Sequence, residues 1–247
     1  MTQLVCAGNW KMHKTGREAA AFVDAFLPQA AAVAERVEIV LCPPFTALAA
    51  VSPKLNGGRV RLGAQDVHWE ESGAFTGAIS APMLREFGVR YVIVGHSERR
   101  EYFGDTDLTV RLKTAAALAG GLTPIVAVGE TIELHDAGKA LAHVTRQTRA
   151  ALEGLGESDL ARIVLAYEPI WAIGTGRSCD PAEANAVMAA MRGSVPGLRD
   201  VPILYGGSVK AENIAAYTAQ PDIDGGLVGG ASLDPAAFAA LCANAAQ

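Results

Sequence analysis

Ile163-Val164-Leu165-Ala166-Tyr167-Glu168-Pro169-Ile170-Trp171-Ala172-Ile173-Gly174-Thr175-Gly176 joins a strand pattern to a loop pattern. The first five residues are an apolar run typical of a buried strand, and Glu168 follows them. Pro169 restricts the backbone where the chain leaves the strand. We interpret the stretch as a base beneath a movable, glycine-tipped lid. The alternative is a strand that ends in an ordinary surface glutamate, and the rest of the chain has to distinguish the two.

Apolar runs of strand length alternate with segments of helical composition along all 247 residues. The runs are continuous rather than alternating, which is typical of parallel strands covered by helices. Asp180-Pro181 and Asp234-Pro235 each place an N-cap before a proline and mark helix starts. Residues 105–107 start another helix, and Gly120-Gly121 end it. The predicted strands are 4–8, 37–41, 60–64, 91–94, 124–128, 163–167, 202–205 and 225–228.

Eight strand-then-helix units in this length predict an α/β protein, a (β/α)₈ barrel that forms a single domain over residues 1–247. An open, doubly wound sheet is the alternative. No Gly-x-Gly-x-x-Gly follows the first strand, which removes the usual reason to prefer that sheet.

Composition excludes several classes of function. A net charge of −5 argues against bulk nucleic-acid binding, and no apolar run is long enough to cross a membrane. The N-terminus lacks the pattern of a signal peptide. Four cysteines occur without a Cys-x-x-Cys motif, so neither a zinc site nor a redox motif is indicated; Cys6 and Cys42 fall in strands and are expected in the core. We expect a cytoplasmic protein without membrane or nucleic-acid partners.

Charged, polar and glycine residues gather where the predicted strands end, which is the functional face of this fold. Lys11 follows the first strand, His96 the fourth and Glu168 the sixth. Gly206-Gly207-Ser208 and Gly229-Gly230 follow the last two strands, where bare backbone N–H groups can approach a phosphate. No residues have metal-ligand spacing and no cofactor motif occurs, so we expect neither a metal nor a cofactor.

This combination indicates proton abstraction next to a carbonyl of a phosphorylated substrate. Glu168 would remove the carbon-bound proton, while Lys11 and His96 stabilise the enediolate oxygen. A closing lid would protect that intermediate from water. Two alternatives stay open at this point: another phosphate-binding barrel enzyme, such as an aldolase or a sugar-phosphate epimerase, and a non-catalytic barrel that acts as a scaffold.

The chain resembles the triosephosphate isomerase family over essentially its whole length. The motifs that carry the resemblance occur in the family's order and spacing: Gly8-Asn9-Trp10-Lys11, Gly95-His96-Ser97-Glu98-Arg99-Arg100, residues 166–176, Tyr205-Gly206-Gly207-Ser208, and Leu227-Val228-Gly229-Gly230-Ala231-Ser232. The resemblance implies cofactor-free interconversion of dihydroxyacetone phosphate and D-glyceraldehyde 3-phosphate, a step of glycolysis and gluconeogenesis.

The resemblance also implies residue roles, as is known for this family. Glu168 shuttles the proton, His96 polarises the carbonyl as a neutral imidazole, and Lys11 supplies positive charge. The residues implied in substrate binding are Asn9, Lys11, Gly174, Ser208, Gly229 and Gly230.

The lid of residues 169–179 has implied supports as well. Ser97 holds Glu168 when the lid is open, and Glu98 is the partner of Lys11. The two hinges are 169–171 and 177–179, and Glu130 and Tyr205 hold the lid open and closed respectively. Ile173 and Leu227 form an apolar clamp on Glu168.

The loop from Asp66 to Ile79 is long for a compact barrel, and such loops are usually functional or interfacial. Its tip, residues 73–77, carries Phe75. The resemblance implies that the tip docks on a second subunit near Met12 and Arg99, so we predict a homodimer through loop 66–79.

Several residues depart from the family's pattern. Ala127 and Gly226 are smaller than usual, which puts local packing in doubt. The other departures are Arg177 and Cys179 in the second hinge and Asp66 and Ala78 in the interface loop. The hinge position of Cys179 predicts an exposed thiol that is open to redox modification.

Overall fold

A computed structural model describes residues 3–174 and 177–247. Eight parallel strands form a closed barrel in which each strand pairs with its neighbours in sequence and the last pairs with the first. The predicted α/β barrel is thereby confirmed. The strands are β1 (Val5–Asn9), β2 (Glu38–Cys42), β3 (Arg61–Ala64), β4 (Tyr91–Val94), β5 (Thr123–Glu130), β6 (Val164–Pro169), β7 (Ile203–Tyr205) and β8 (Gly225–Val228).

Helices surround the barrel and follow the predicted punctuation. The Asp180 and Asp234 side chains accept N–H bonds from the first turns of the helices that they precede. Thr106 caps the helix that ends before Gly120-Gly121. The described helices are α1 (Gly16–Ala30), α2 (Leu48–Leu55), α3 (Ala81–Glu86), α4 (Ser97–Phe103), α5 (Asp107–Ala119), α6 (Ile132–Asp136), α7 (Ala140–Leu152), α8 (Glu157–Leu160), α9 (Pro181–Arg192), α10 (Ile214–Thr218) and α11 (Pro235–Ala245). None of these helices combines the length and the apolar character that crossing a bilayer requires.

Two strands run two residues further than predicted at their carboxyl ends, and both extensions matter for the site. β5 continues through Glu130, and β6 continues through Pro169. Glu168 therefore lies inside the last paired segment of β6, opposite Gly129 of β5, rather than beyond the strand. The glycine allows this close pairing, because a Cβ at position 129 would collide with the carbonyl oxygen of Glu168. The catalytic candidate is thus held by sheet hydrogen bonds.

The core has two layers, one inside the barrel and one between the barrel and the helices. Side chains alternate along each strand, so Val5 and Ala7 join the inner cluster while Cys6 joins the outer one. Cys6 and Cys42 are buried, as predicted. Ala127 is fully buried within the inner cluster.

The small residue at position 226 leaves no evident gap. A Cβ added there would meet Val228 and Ile214 at ordinary contact distances of 3.4 and 3.5 Å. Val228 and Ile214 already occupy the space beside the backbone, so the small residue at position 226 does not leave a packing defect there.

Gly225 closes the barrel. It pairs with Val5 of β1 at a φ of 132°, where a side chain is strained, and a Cβ would collide with the Val5 carbonyl oxygen. We expect Gly225→Ala to lower the free energy of unfolding by about 2–5 kcal/mol, since backbone strain and steric overlap both contribute.

Urea denaturation measures this loss, and Gly57→Ala is the matched control. Gly57 also has a positive φ, 75°, but nothing lies within 4 Å of its added Cβ. Gly57→Ala should therefore have only the mild strain of a left-handed residue and no collision. Equal losses in both would contradict the proposed role of Gly225 in barrel closure.

Candidate active site

A cavity of about 560 Å³ opens at the carboxyl end of the barrel strands. Strand ends and the loops that follow them supply its walls, as expected for this fold. Every residue predicted for catalysis or substrate binding lines this single cavity: Asn9, Lys11, His96, Glu168, Gly174, Ser208, Gly229 and Gly230. The residues selected from the sequence are therefore brought together by the fold from five of the eight strand ends.

Glu168 is only 1% exposed and is held by three contacts. The Ser97 backbone N–H donates to Oε2 at 2.9 Å, and the Ser97 hydroxyl lies 3.4 Å from Oε1. His96 Nε2 lies 3.0 Å from Oε1. Burial acts to raise the pKa of Glu168, but the His96 ring and the Ser97 N–H outweigh it, so the pKa lies below its usual value. The carboxylate is thereby kept ionised, as a base requires.

His96 is the N-cap of α4, and its ring accepts the Glu98 backbone N–H at Nδ1 (3.2 Å). A nitrogen that accepts a hydrogen bond carries no proton, so the hydrogen of a neutral ring sits on Nε2, facing Glu168. Burial lowers the pKa of His96, whereas the Glu168 carboxylate raises it and prevails in this arrangement. When Glu168 moves away, its carboxylate no longer raises the pKa of His96, while the Glu98 N–H continues to favour the neutral imidazole.

Lys11 has a φ of 53°, which is uncommon for a residue with a side chain. Its N–H donates to Asn9 Oδ1 (3.1 Å), and its carbonyl accepts from Gln65 Nε2 (2.9 Å). Its Nζ lies 2.6 Å from Glu98 Oε1, the partner that the resemblance implied. The backbone is fixed on both sides and aims the ammonium group into the cavity.

Gln65 is a residue whose role sequence reasoning missed. Its amide bridges the carbonyls of Lys11 and Cys42, both at 2.9 Å. Its position directly after β3 was the available signal, because functional residues of this fold follow the strands. The sequence alone gave no indication of what the amide would bind.

Two glycine turns form the far wall of the cavity, after β7 and β8. The first is held in shape by Asn213, whose Nδ2 donates to the Ser208 carbonyl at 3.2 Å. The second leads into a short 3₁₀ turn, Gly230–Leu233. Gly206 does not offer its N–H to the cavity, because that group donates to the Tyr167 carbonyl at 2.7 Å. The bare backbone at these turns lets an anion approach closely.

Comparison with known proteins identifies the family. The family model described as Triosephosphate isomerase matches residues 4–245. A triosephosphate isomerase of Symbiobacterium thermophilum is 57% identical over 98% of this chain and 97% of its own. Those of Synechocystis and Moorella thermoacetica are 53% and 50% identical, each over 98% of both chains. The chain belongs to the triosephosphate isomerase family. The resemblance drawn from the motifs is thus confirmed.

The predicted lid begins at the end of β6. Ile170–Ala172 form a 3₁₀ turn, and Trp171 Nε1 donates to Glu130 Oε1 at 2.8 Å. The Tyr167 hydroxyl donates to the same oxygen at 3.0 Å. Thr175 and Gly176, which belong to the predicted lid tip, lie outside the described residues.

Two tyrosines hold the segment that is predicted to be the second hinge. The Cys179 N–H donates to the Tyr205 hydroxyl (3.2 Å), and the Tyr217 hydroxyl donates to the Cys179 carbonyl (2.6 Å). The resemblance implied that Glu130 holds the lid open and that Tyr205 holds it closed. The contacts of both residues exist together in this structure.

The prediction of an exposed thiol at Cys179 is wrong. Cys179 is 1% exposed, and burial, with Glu183 nearby, raises its pKa to about 12. The physical reason is the pair of tyrosine hydrogen bonds, which draws the backbone of the hinge inward. A buried thiol with a raised pKa is a poor nucleophile.

No group of three or more histidine, cysteine, aspartate or glutamate side chains within residues 3–174 and 177–247 is arranged to hold a metal ion.

Proposed function

We propose that this protein is a triosephosphate isomerase, which interconverts dihydroxyacetone phosphate and D-glyceraldehyde 3-phosphate without a metal or cofactor. The observation that carries the proposal is the buried, ionised Glu168 beside the Nε2 of His96, at 3.0 Å, in a cavity that also holds Lys11. This is a base next to two groups that can stabilise an oxyanion. The family and its relatives support the same activity.

The reaction follows from these three side chains. Glu168 leaves Ser97 and removes the proton from the carbon next to the carbonyl. Negative charge then develops on the carbonyl oxygen, where His96 Nε2–H donates a hydrogen bond and the Lys11 ammonium supplies charge. His96 passes its Nε2 proton to this oxygen and takes the proton of the neighbouring hydroxyl, while Glu168 returns its proton to the former carbonyl carbon. The ketose and the aldose are thereby interconverted.

The phosphate end of the substrate is assigned to the glycine turns. Ser208, Gly229 and Gly230 line the same cavity as the base, and their backbone N–H groups would bind the phosphate. Gly174 of the lid also lines the cavity and would add its N–H on closure. Lys11 lies beside Gly229, since a Cβ added there would be 3.5 Å from Lys11 Cε. One ammonium can therefore serve both the phosphate and the reacting oxygen.

The alternatives are less well supported. An aldolase that forms a Schiff base needs a lysine inside the barrel, and none of the eight described strands contains a lysine. A scaffold would not need a buried carboxylate beside an imidazole, since both side chains lose hydration there. We also infer that residues 1–247 act as one domain in the cytoplasm; the four free, buried cysteines suit a reducing compartment.

A homodimer through loop 66–79 is part of the proposal. Phe75 at the loop tip is 43% exposed, and Met12 beside the active site is 95% exposed, so both present apolar surface that a second copy could cover. The His68 ring packs between Trp69 and Phe75, each at 4.3 Å, and stiffens the tip. Sedimentation of the purified protein tests the dimer, and a monomer at micromolar concentration would contradict it.

Asp66 fixes the start of this loop to the rest of the barrel. It pairs with Arg99 at 3.0 Å and with the buried Lys113 at 2.8 Å. Asp66, one of the departures from the family's pattern, therefore adds a carboxylate to a network that also includes Asp105. Arg99, which was expected near the partner's loop, is tied to its own chain by these pairs.

A coupled isomerase assay in the presence of EDTA tests the function. The wild-type protein should convert D-glyceraldehyde 3-phosphate with EDTA present, and Glu168→Gln should lose roughly 10²–10⁴-fold in kcat, the usual contribution of a general base. Absence of turnover by the wild-type protein would overturn the proposal.

A further inference from the structure

The indole of Trp171, in the first lid hinge, lies between two titratable side chains. Its Nε1 donates to Glu130 at 2.8 Å, and its ring lies 4.5 Å from the His135 ring at an interplanar angle of 35°. Glu130 belongs to β5, which is part of the barrel, whereas His135 belongs to α6. The hinge is therefore held from two different elements.

His135 also reaches the far side of the lid. Its Nδ1 lies 3.4 Å from Glu183 Oε1, in the first turn of α9, the helix into which the second hinge leads. One imidazole thus contacts the first hinge through Trp171 and the helix after the second hinge through Glu183. His135 lies outside the substrate cavity and has no place in the chemistry described above.

We propose that His135 is a positioning residue that holds Trp171, and with it the first lid hinge, more firmly when its imidazole is protonated. The imidazolium gains an ion pair with Glu183 and a cation–π contact with the indole, and the neutral ring has neither. The relevance to turnover rests on the proposed function, because the lid matters only if the protein is the isomerase. The contact itself does not depend on that function.

The charges around His135 favour firmer contacts for the protonated ring than for the neutral one. Glu183 from α9 and Glu130 from β5 both face His135 with carboxylates. Glu133 and Asp136 flank it on α6. His143 and Arg146 of α7, which packs on α6, lie 3.0 Å from each other. Protonation of His135 therefore adds a positive charge to a largely acidic neighbourhood.

Glu130 is the competing source of any pH response. Burial raises its pKa, and its Oε2 has no hydrogen-bond partner among the described residues. A proton on Oε2 would leave Oε1 free to accept from Trp171, so protonation of Glu130 should disturb the hinge less. An experiment has to separate Glu130 from His135.

Fluorine NMR of protein labelled with fluorotryptophan makes this separation. The chain has three tryptophans, and Trp171→Phe assigns the hinge resonance. Between about pH 5 and pH 9, where imidazole ordinarily changes charge, the Trp171 resonance should shift in a one-proton step. Its exchange rate on the μs–ms timescale should rise with pH through that step, because the imidazolium contacts are lost.

His135→Phe keeps a ring beside Trp171 but cannot be protonated, so the step and the pH-dependent exchange should disappear. Glu183→Gln should weaken the pH dependence of the exchange, because it removes the carboxylate that pairs with the imidazolium; exchange with unchanged pH dependence in this variant would contradict the role of the pair. Persistence of the step in His135→Phe would assign it to Glu130 and overturn the proposal, as would a wild-type resonance without a step.

The resonances of Trp10 and Trp69 report whether a variant has folded, and His135→Gln replaces His135→Phe if the latter does not. The measurement uses no substrate. An inactive wild-type protein that shows the step would therefore refute the proposed function alone, and an active one without the step would refute the role of His135 alone.

Discussion

Glu168→Asp should reduce kcat by about 100-fold or more while the barrel stays folded. The shorter side chain withdraws the carboxylate from the reacting carbon, and misplacement by about 1 Å can cost on the order of 10²-fold. The wild-type carboxylate is fixed by Ser97 and His96 at 2.9 and 3.0 Å, so the enzyme has little freedom to compensate. Steady-state assays in both reaction directions measure the loss.

The matched control is Glu157→Asp, the same change at an exposed residue in α8. That variant should keep wild-type turnover, and circular dichroism should show that both variants fold. Near-normal turnover by Glu168→Asp would remove Glu168 from the role of base.

Deletion of residues 173–175 should convert the isomerase into an enzyme that loses its intermediate. Ile173 and Gly174 line the cavity, and the deletion leaves the enediolate open to water. An exposed enediol phosphate can expel its phosphate group and form methylglyoxal. We expect inorganic phosphate and methylglyoxal to become major products, together with a lower rate of isomerisation.

Both products can be quantified beside the isomerised triose phosphate, and the wild-type protein in the same buffer serves as the control. The ratio of elimination to isomerisation is the informative quantity, because it does not depend on the fraction of folded enzyme. Clean isomerisation by the deletion variant would contradict a protective role for the lid.

Much of the architecture could be predicted from the sequence because it depends on local patterns. Continuous apolar runs specify buried parallel strands, and the predicted bounds of β4 and β8 agree with the structure. Glu168 could be found because Lys11, His96 and the glycine turns at other strand ends distinguish it from an ordinary surface glutamate. The full lengths of β5 and β6 could not be predicted, because they depend on the close pairing of the two strands that Gly129 allows.

Other features depend on contacts between distant parts of the chain. Cys179 is buried by hydrogen bonds to Tyr205 and Tyr217, from β7 and α10, and nothing in the hinge sequence indicates them. The amide of Gln65 and the ring of His135 act through equally distant partners. The identity of one residue carries no information about such distant partners. The contacts of Cys179, Gln65 and His135 could therefore be identified only in the folded chain.

The central claim is that Glu168 carries a proton between two carbons of a triose phosphate. Proton NMR of the reaction in D₂O with EDTA present tests this claim most directly, because a carboxylate that holds the proton can exchange it with solvent. We expect the wild-type enzyme to introduce deuterium at C2 of D-glyceraldehyde 3-phosphate made from dihydroxyacetone phosphate, and Glu168→Gln to lose nearly all conversion and labelling. Rapid conversion by Glu168→Gln, or conversion by the wild-type enzyme with no deuterium in the product, would contradict it.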